Sequence, residues 1–199
     1  MKEESDKEVA FMMGDVTPWE VVPYKREHAV EYALKWADRR NPLFYEFDGL
    51  GGDCTNFVSQ CVLAGSCVMN FTPNYGWYFI DAEDRSPSWT GVEFFYDFMV
   101  GNTGAGPFGR EITREELAVG DVIQLNNGER YYHTLIVTGI RRGRIYVSAH
   151  SYDARNRELS TYSYERERLI HIEGVRRDPF LTPIECFSIL YDQREDNSR

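Results

Sequence analysis

No run of apolar residues among the 199 approaches the roughly 20 needed to cross a bilayer. The N-terminus, MKEESDKEVAFMM, mixes charges of both signs and lacks a long apolar core. The chain as it stands therefore reads as cytoplasmic, or as secreted if a leader once preceded it. Basic residues are also short: 22 Lys and Arg face 32 Asp and Glu, a formal net charge of −10. Such a surface repels phosphates and anionic lipid, which argues against nucleic-acid and membrane partners and leaves room for a neutral or cationic substrate. Cysteine is scarce. Cys54, Cys61, Cys67 and Cys186 show C-x6-C and C-x5-C spacings without the short paired knuckle of a zinc site, so neither a metal nor any other cofactor is expected. Cys54 and Cys61 are seven apart on one expected helix, with Cα atoms roughly 10 Å apart, too far for a disulfide; the four thiols are expected to be mostly reduced.

The sequence does have enough apolar (42%) and aromatic (15%) residues for one sizeable core. Residues 1–15 and 193–199 are polar and without periodicity, and are expected to be disordered around a single domain over 16–192. KREHAVEYALKWADRR, residues 25–40, repeats Ala29, Ala33, Trp36 and Ala37 at helical spacing before Asn41-Pro42 stops it. DCTNFVSQCVLAGS follows Gly51-Gly52 as a second helix, with Asp53 as N-cap and Gly65 as the exit. Residues 66–110 read as a long connection containing one helix near 91–100. From Val119 the texture becomes β-rich: VGDVIQL, YHTLIVTGI and RIYVSAHSY are separated by Asn126-Asn127-Gly128 and Arg141-Arg142-Gly143, so an antiparallel meander is expected. Helices first and strands later imply an α+β packing.

Cys54 opens the second helix, where unpaired N–H groups and the helix dipole favour a thiolate and can donate to a developing oxyanion. A thiol nucleophile needs a base. His133 opens a strand on a face shared with Leu135 and Val137, and His150 closes the next strand, so in an antiparallel pair the two ends lie side by side. His150 is then the candidate to orient the His133 ring, with Asp153 as the competing orienter.

The run GGDCTNFVSQCVLAG, preceded by AVEYALKWADRRNP and followed by GDVIQL, HTLIVTGI and SAHSYD, resembles the family described as the "putative amidase domain", related to the NlpC/P60 and CHAP groups of papain-like cysteine hydrolases. The resemblance runs from about Tyr24 to about Tyr164. It implies a papain-like (NlpC/P60-like) fold in which an N-terminal nucleophile helix packs on an antiparallel sheet. It places the nucleophile on Cys54, the base on His133 and the polar orienter on His150, with Asp53 and the Cys54 N–H bordering the oxyanion site. The implied activity is amide-bond hydrolysis of a peptide, with a peptidoglycan stem peptide as one candidate. Acyl transfer at the same residues and peptide binding without cleavage are the alternatives.

Other conspicuous residues have structural readings. Gln60 reads as a helix polar group, and Trp77, Tyr78 and Trp89 as core or groove wall. Asp121 reads as a turn residue, His28 and His171 as surface or helix positions, and YERERL at 164–169 as a solvated face.

Overall fold

The computed structural model describes residues 19–182 and 185–193. Of the segments 1–15 and 193–199, expected to be disordered, all but Gln193 lie outside these. Strand β1 (Glu20–Val22) precedes helix α1 (Arg26–Trp36) and helix α2 (Cys54–Ser66). Helices α3 (Pro87–Thr90) and α4 (Val92–Gly101) follow, then β2 (Gly106–Ile112), β3 (Val122–Asn126), β4 (Tyr131–Arg141), β5 (Arg144–Ala149), β6 (Ala154–Glu158), β7 (Arg166–Arg177) and α5 (Cys186–Tyr191). All strand pairings are antiparallel, in the order β1-β7-β3-β4-β5-β6, with β2 also on β7. The expected α+β class and the β3-to-β5 meander are both present, and β6, which lies beyond that expectation, extends the meander.

Apolar alternation gives this sheet two buried faces. Val122, Ile136, Ile170 and Ile172 join the helices in one cluster, around Tyr32, Trp36, Phe57, Trp77 and Trp89. Leu125, Leu135, Val137, Val147 and Ala149 form the other, closed by Leu117, Leu159 and the half-buried Tyr162 and Tyr164. The turn Arg142-Gly143, with φ of 53° and 77°, joins β4 to β5 in the two-residue geometry that matches strand twist.

Helix α2 is buried along its whole length, so its polar residues must find partners inside. Ser59 donates to the Trp89 carbonyl at 2.9 Å, Gln60 accepts from the Tyr32 hydroxyl at 2.7 Å, and Asn56 donates to the Tyr45 carbonyl at 3.0 Å. Gln60 is thus a packed helix group, and Trp77 and Trp89 are core rather than groove wall.

Several sequence expectations are corrected. Helix α1 ends at Trp36, four residues before Arg40, and Asn41 instead caps the following turn by accepting from Leu43 N at 3.0 Å. Gly65 is not the exit of α2. A Cβ there would lie 2.3 Å from the Tyr24 ring, so glycine serves close packing, and Cys67 supplies the left-handed cap at φ 52°. Residues 66–110 contain two helices and the start of β2. The run at 164–169 enters β7, where Arg168 is buried. Nor are the thiols mostly reduced. Cys67 and Cys186 form a disulfide, and only Cys54 and Cys61 are free. The 119-residue separation of Cys67 and Cys186 hides this contact from any local reading.

Candidate functional site

A cleft of about 420 Å3 opens at the N-terminus of α2, lined by Asp48, Gly49, Gly51, Gly52, Cys54, Tyr132, His133, Ser151 and Tyr152. That volume falls in the range of small-ligand sites and suits a short stretch of peptide. Gly49, Gly51 and Gly52 have φ of 81°, 106° and 108°, conformations that side-chain-bearing residues rarely adopt, so backbone itself forms one wall. Ser151 and Tyr152, at φ 56° and 88°, form a strained turn that lines the cleft beside the glycine loop.

Two facts bring Cys54 and His133 to this cleft together. The β4–β5 register begins at Ile136↔Ser148, which leaves the β5-side edge of β4 open around His133 and Thr134. Helix α2 docks on that stretch: the Thr55 and Thr134 hydroxyls meet at 2.8 Å, so their chain neighbours Cys54 and His133 both reach the cleft. The Cys54 sulfur meets the Thr55 hydroxyl at 3.8 Å and the backbone N–H of Thr134.

Burial pushes the Cys54 thiol above its ordinary range, only partly offset by those donors, and the neighbouring Asp53 pushes it further up. Burial likewise lowers His133 to about 4, with the Arg157 guanidinium adding to the effect. At neutral pH the free protein therefore holds a thiol and a neutral imidazole, not the resting ion pair that a helix N-terminus alone suggests. The His133 ring packs against Tyr132 and Tyr162, with centroids at 6.0 and 6.1 Å.

His150 does not meet His133. Val137 pairs with Val147, so His133, Leu135 and Val137 share a face with Val147 and Ala149, while Ser148 and His150 turn to the helix side. There His150 stacks on Phe57 at 4.0 Å, with Nε2 2.8 Å from the Trp36 carbonyl and Nδ1 2.6 Å from Asp53 Oδ2. A carbonyl can only accept, so Nε2 carries a proton, and a second proton is shared across the Nδ1–Asp53 contact. Asp153, the other expected orienter, forms an ion pair with Arg40 at 2.8 Å.

Asp53 occupies the N-cap position without making a side-chain cap hydrogen bond. Its Oδ1 accepts from Phe47 N at 2.9 Å and Asn56 Nδ2 at 2.8 Å, and Oδ2 takes His150. The carboxylate is fully buried and does not line the cleft, contrary to the expectation that it borders an oxyanion site. Its inward turn leaves the first N–H groups of α2 without a side-chain cap from Asp53, and the Thr55 N–H is directed at the Cys54 sulfur.

Sequence reasoning missed Asp48, Tyr132, Ser151 and Tyr152. Ser151 ties the two ends of the glycine loop to the turn after β5, accepting from Asp53 N at 2.6 Å and donating to Asp48 Oδ1 at 3.0 Å. Its place directly after His150 in SAHSYD was the available signal. Asp121 does shape the turn before β3, accepting from Ala118 N at 2.8 Å, and it also ties Arg26 and His171 to that turn.

No solved structure matches the chain. Among curated proteins it is 37% identical over 148 residues to the uncharacterized protein YhbB of Bacillus subtilis (strain 168), covering 71% of this chain and 45% of that one. It is 29% identical over 150 residues to the uncharacterized protein YjcM of the same organism, covering 71% of this chain and 34% of the other. The chain thus spans less than half the length of either relative. The family described as "Putative amidase domain" matches residues 23–173, which include the whole cleft, and the chain belongs to that family.

Proposed function

We propose that the protein is a cysteine-nucleophile amidase of papain-like architecture, with Cys54 as nucleophile and His133 as general base and acid. The observation that carries this reading is the placement of a thiol at a helix start and a neutral imidazole on an open strand edge in the lining of one cleft. Cys54 Sγ adds to the amide carbonyl carbon as its proton passes to His133, and the anionic oxygen is met by the Cys54 N–H at the start of α2. His133 returns the proton to the departing amine and the C–N bond breaks. Water then attacks the thioester, giving a proton to His133; the C–S bond breaks, the acid leaves and the thiol is restored. A neutral His133 is the form this sequence requires at its first step. Packing between Tyr132 and Tyr162, rather than a polar third residue, sets the ring's orientation.

The acyl donor fits a peptide, and a bacterial cell-wall stem peptide is the candidate favoured by the family resemblance. The Cys67–Cys186 disulfide agrees with an oxidising location, where such bonds persist. The test is an electrophilic amide-like probe followed by mass mapping. Cys54 should be labelled and Cys61, fully buried with its thiol pushed far up by desolvation, should not. His133→Ala should slow Cys54 labelling at pH 7 by about 10²-fold or more, the usual range for losing a positioned base. Equal labelling of both free thiols in the folded protein removes the mechanism.

A further inference from the structure

The reading of Cys54 as nucleophile leaves a line of buried polar groups behind it unexplained. Arg168, on β7, is held between the Tyr96 and Tyr131 rings at 3.9 Å each and pairs with Glu93 at 2.8 Å. Its Nε donates to Gln124 Oε1 at 2.6 Å. Gln124 Nε2 donates to the Val92 carbonyl at 2.8 Å and to Thr134 Oγ1 at 3.3 Å. Thr134 Oγ1 meets Thr55 Oγ1 at 2.8 Å, and Thr55 Oγ1 lies 3.8 Å from Cys54 Sγ. Gln124, Thr134 and Thr55 have no exposed surface, so water cannot complete their hydrogen bonds.

Proton counting gives this line a direction. A guanidinium can only donate and a carbonyl can only accept, so Arg168 and Val92 independently fix the Gln124 amide with oxygen toward β7 and nitrogen toward α4. The remaining amide hydrogen points at Thr134 Oγ1, which therefore accepts. The Thr134 proton then has Thr55 Oγ1 as its partner, since the opposite arrangement would leave a buried hydroxyl proton idle. Thr55 in turn has its own proton free, and the atom in reach is the Cys54 sulfur.

We propose that Arg168 is a positioning residue, acting through Gln124, Thr134 and Thr55, that aims a one-way chain of hydrogen bonds at Cys54 so that the last hydroxyl stabilises its thiolate. Resting on the nucleophile reading above, the chain explains how a buried thiol is prepared for attack from behind while His133 works from the cleft. The lowering influence of Thr55 on the Cys54 thiol agrees with this direction. The titratable groups around Cys54 are His133 and Tyr132 from β4, Asp48 from the preceding loop, Tyr152 from the turn after β5, and Asp53 with its partner His150. None of them is altered in the variants below.

The test is the pH dependence of Cys54 alkylation by iodoacetamide, read by mass mapping in the full chain. Thr55→Val, nearly isosteric, should raise the alkylation midpoint by about one unit, a tenfold slower reaction at a given pH below it, and Thr55→Ser should restore it. Gln124→Glu keeps shape and the Arg168 contact but cannot donate to Thr134. It reverses the chain, and should raise the midpoint as Thr55→Val does. In the double variant the two effects should not add, because both remove the same donor. Full additivity would show that the new carboxylate acts through space, and an unchanged midpoint in Thr55→Val would show that no donor reaches the sulfur; either result overturns the chain. If Gln124→Glu does not fold, the Thr55→Val and Thr55→Ser pair decides alone. Should Cys54 of the unaltered protein react no faster than Cys61, the nucleophile reading itself fails, and the chain with it.

Discussion

Cys54 and His133 are both kept uncharged by burial, and the cost falls on acid stability. His133 is lowered to about 4 in the folded protein, whereas in an unfolded chain it titrates near 6.5. Between those values the unfolded chain binds more protons, so stability falls as pH is lowered through the window from about 6.5 to 4. The full loss is about 3 kcal/mol at 1.36 kcal/mol per unit. Urea denaturation at pH 7 and pH 4 should show this difference shrink in His133→Asn, and an unaltered slope would mean that His133 is not held neutral. The same depression places the acid limb of kcat/KM near 4 rather than 6.5. His150 calls for a different expectation. Because it answers the fully buried Asp53 and not His133, His150→Ala should destabilise the fold by about 1–3 kcal/mol, since Asp53 Oδ2 loses its hydrogen-bond partner and keeps only the Arg40 guanidinium at 3.6 Å. Normal stability with lost activity would return His150 to the role of orienter. Each residue was conspicuous in the sequence, but their separation onto opposite faces was not: alternation was readable along each strand, while the pairing Val137↔Val147 that relates the two was not.

The glycine loop and the start of α2 act as one element. Gly52 has φ of 108°, and a Cβ there would sit 3.3 Å from Ser151 Oγ, the atom that accepts from Asp53 N. Gly52→Ala therefore adds backbone strain and presses on the hydrogen bond that fixes the helix start. A loss of about 1–2 kcal/mol in unfolding free energy and a larger fractional loss of activity are expected, the first from a strained φ and the second from a displaced nucleophile. A thermal midpoint and rate both matching the unaltered protein would show that this loop does not position Cys54. The helix start, the glycine pair and the Arg142-Gly143 hairpin were legible because their signals lie within a few residues of one another. Cap details were less so. Asp53 occupies its expected position, yet its oxygens go to Phe47, Asn56 and His150, partners up to 97 residues away.

At the scale of the molecule, the Cys67–Cys186 disulfide ties helix α5 to the end of helix α2 and closes a loop of 119 residues. Cys186→Ser should lower stability by about 2–4 kcal/mol, more than most surface changes, because a long loop in the unfolded chain is no longer constrained. Equal urea midpoints with and without reductant would mean that the bond adds nothing. The amino-acid sequence by itself determined the α+β order, the antiparallel meander and the places of Cys54 at a helix start and His133 near a strand start, since hydrophobic period, turn residues and helix-start chemistry are local properties. Only the tertiary structure decided which strand faces share a core, which cysteines bond, and that buried Arg168 stands four hydrogen bonds behind Cys54. Those outcomes depend on register and on satisfying polar groups once water is excluded, and both are settled between segments distant in the chain.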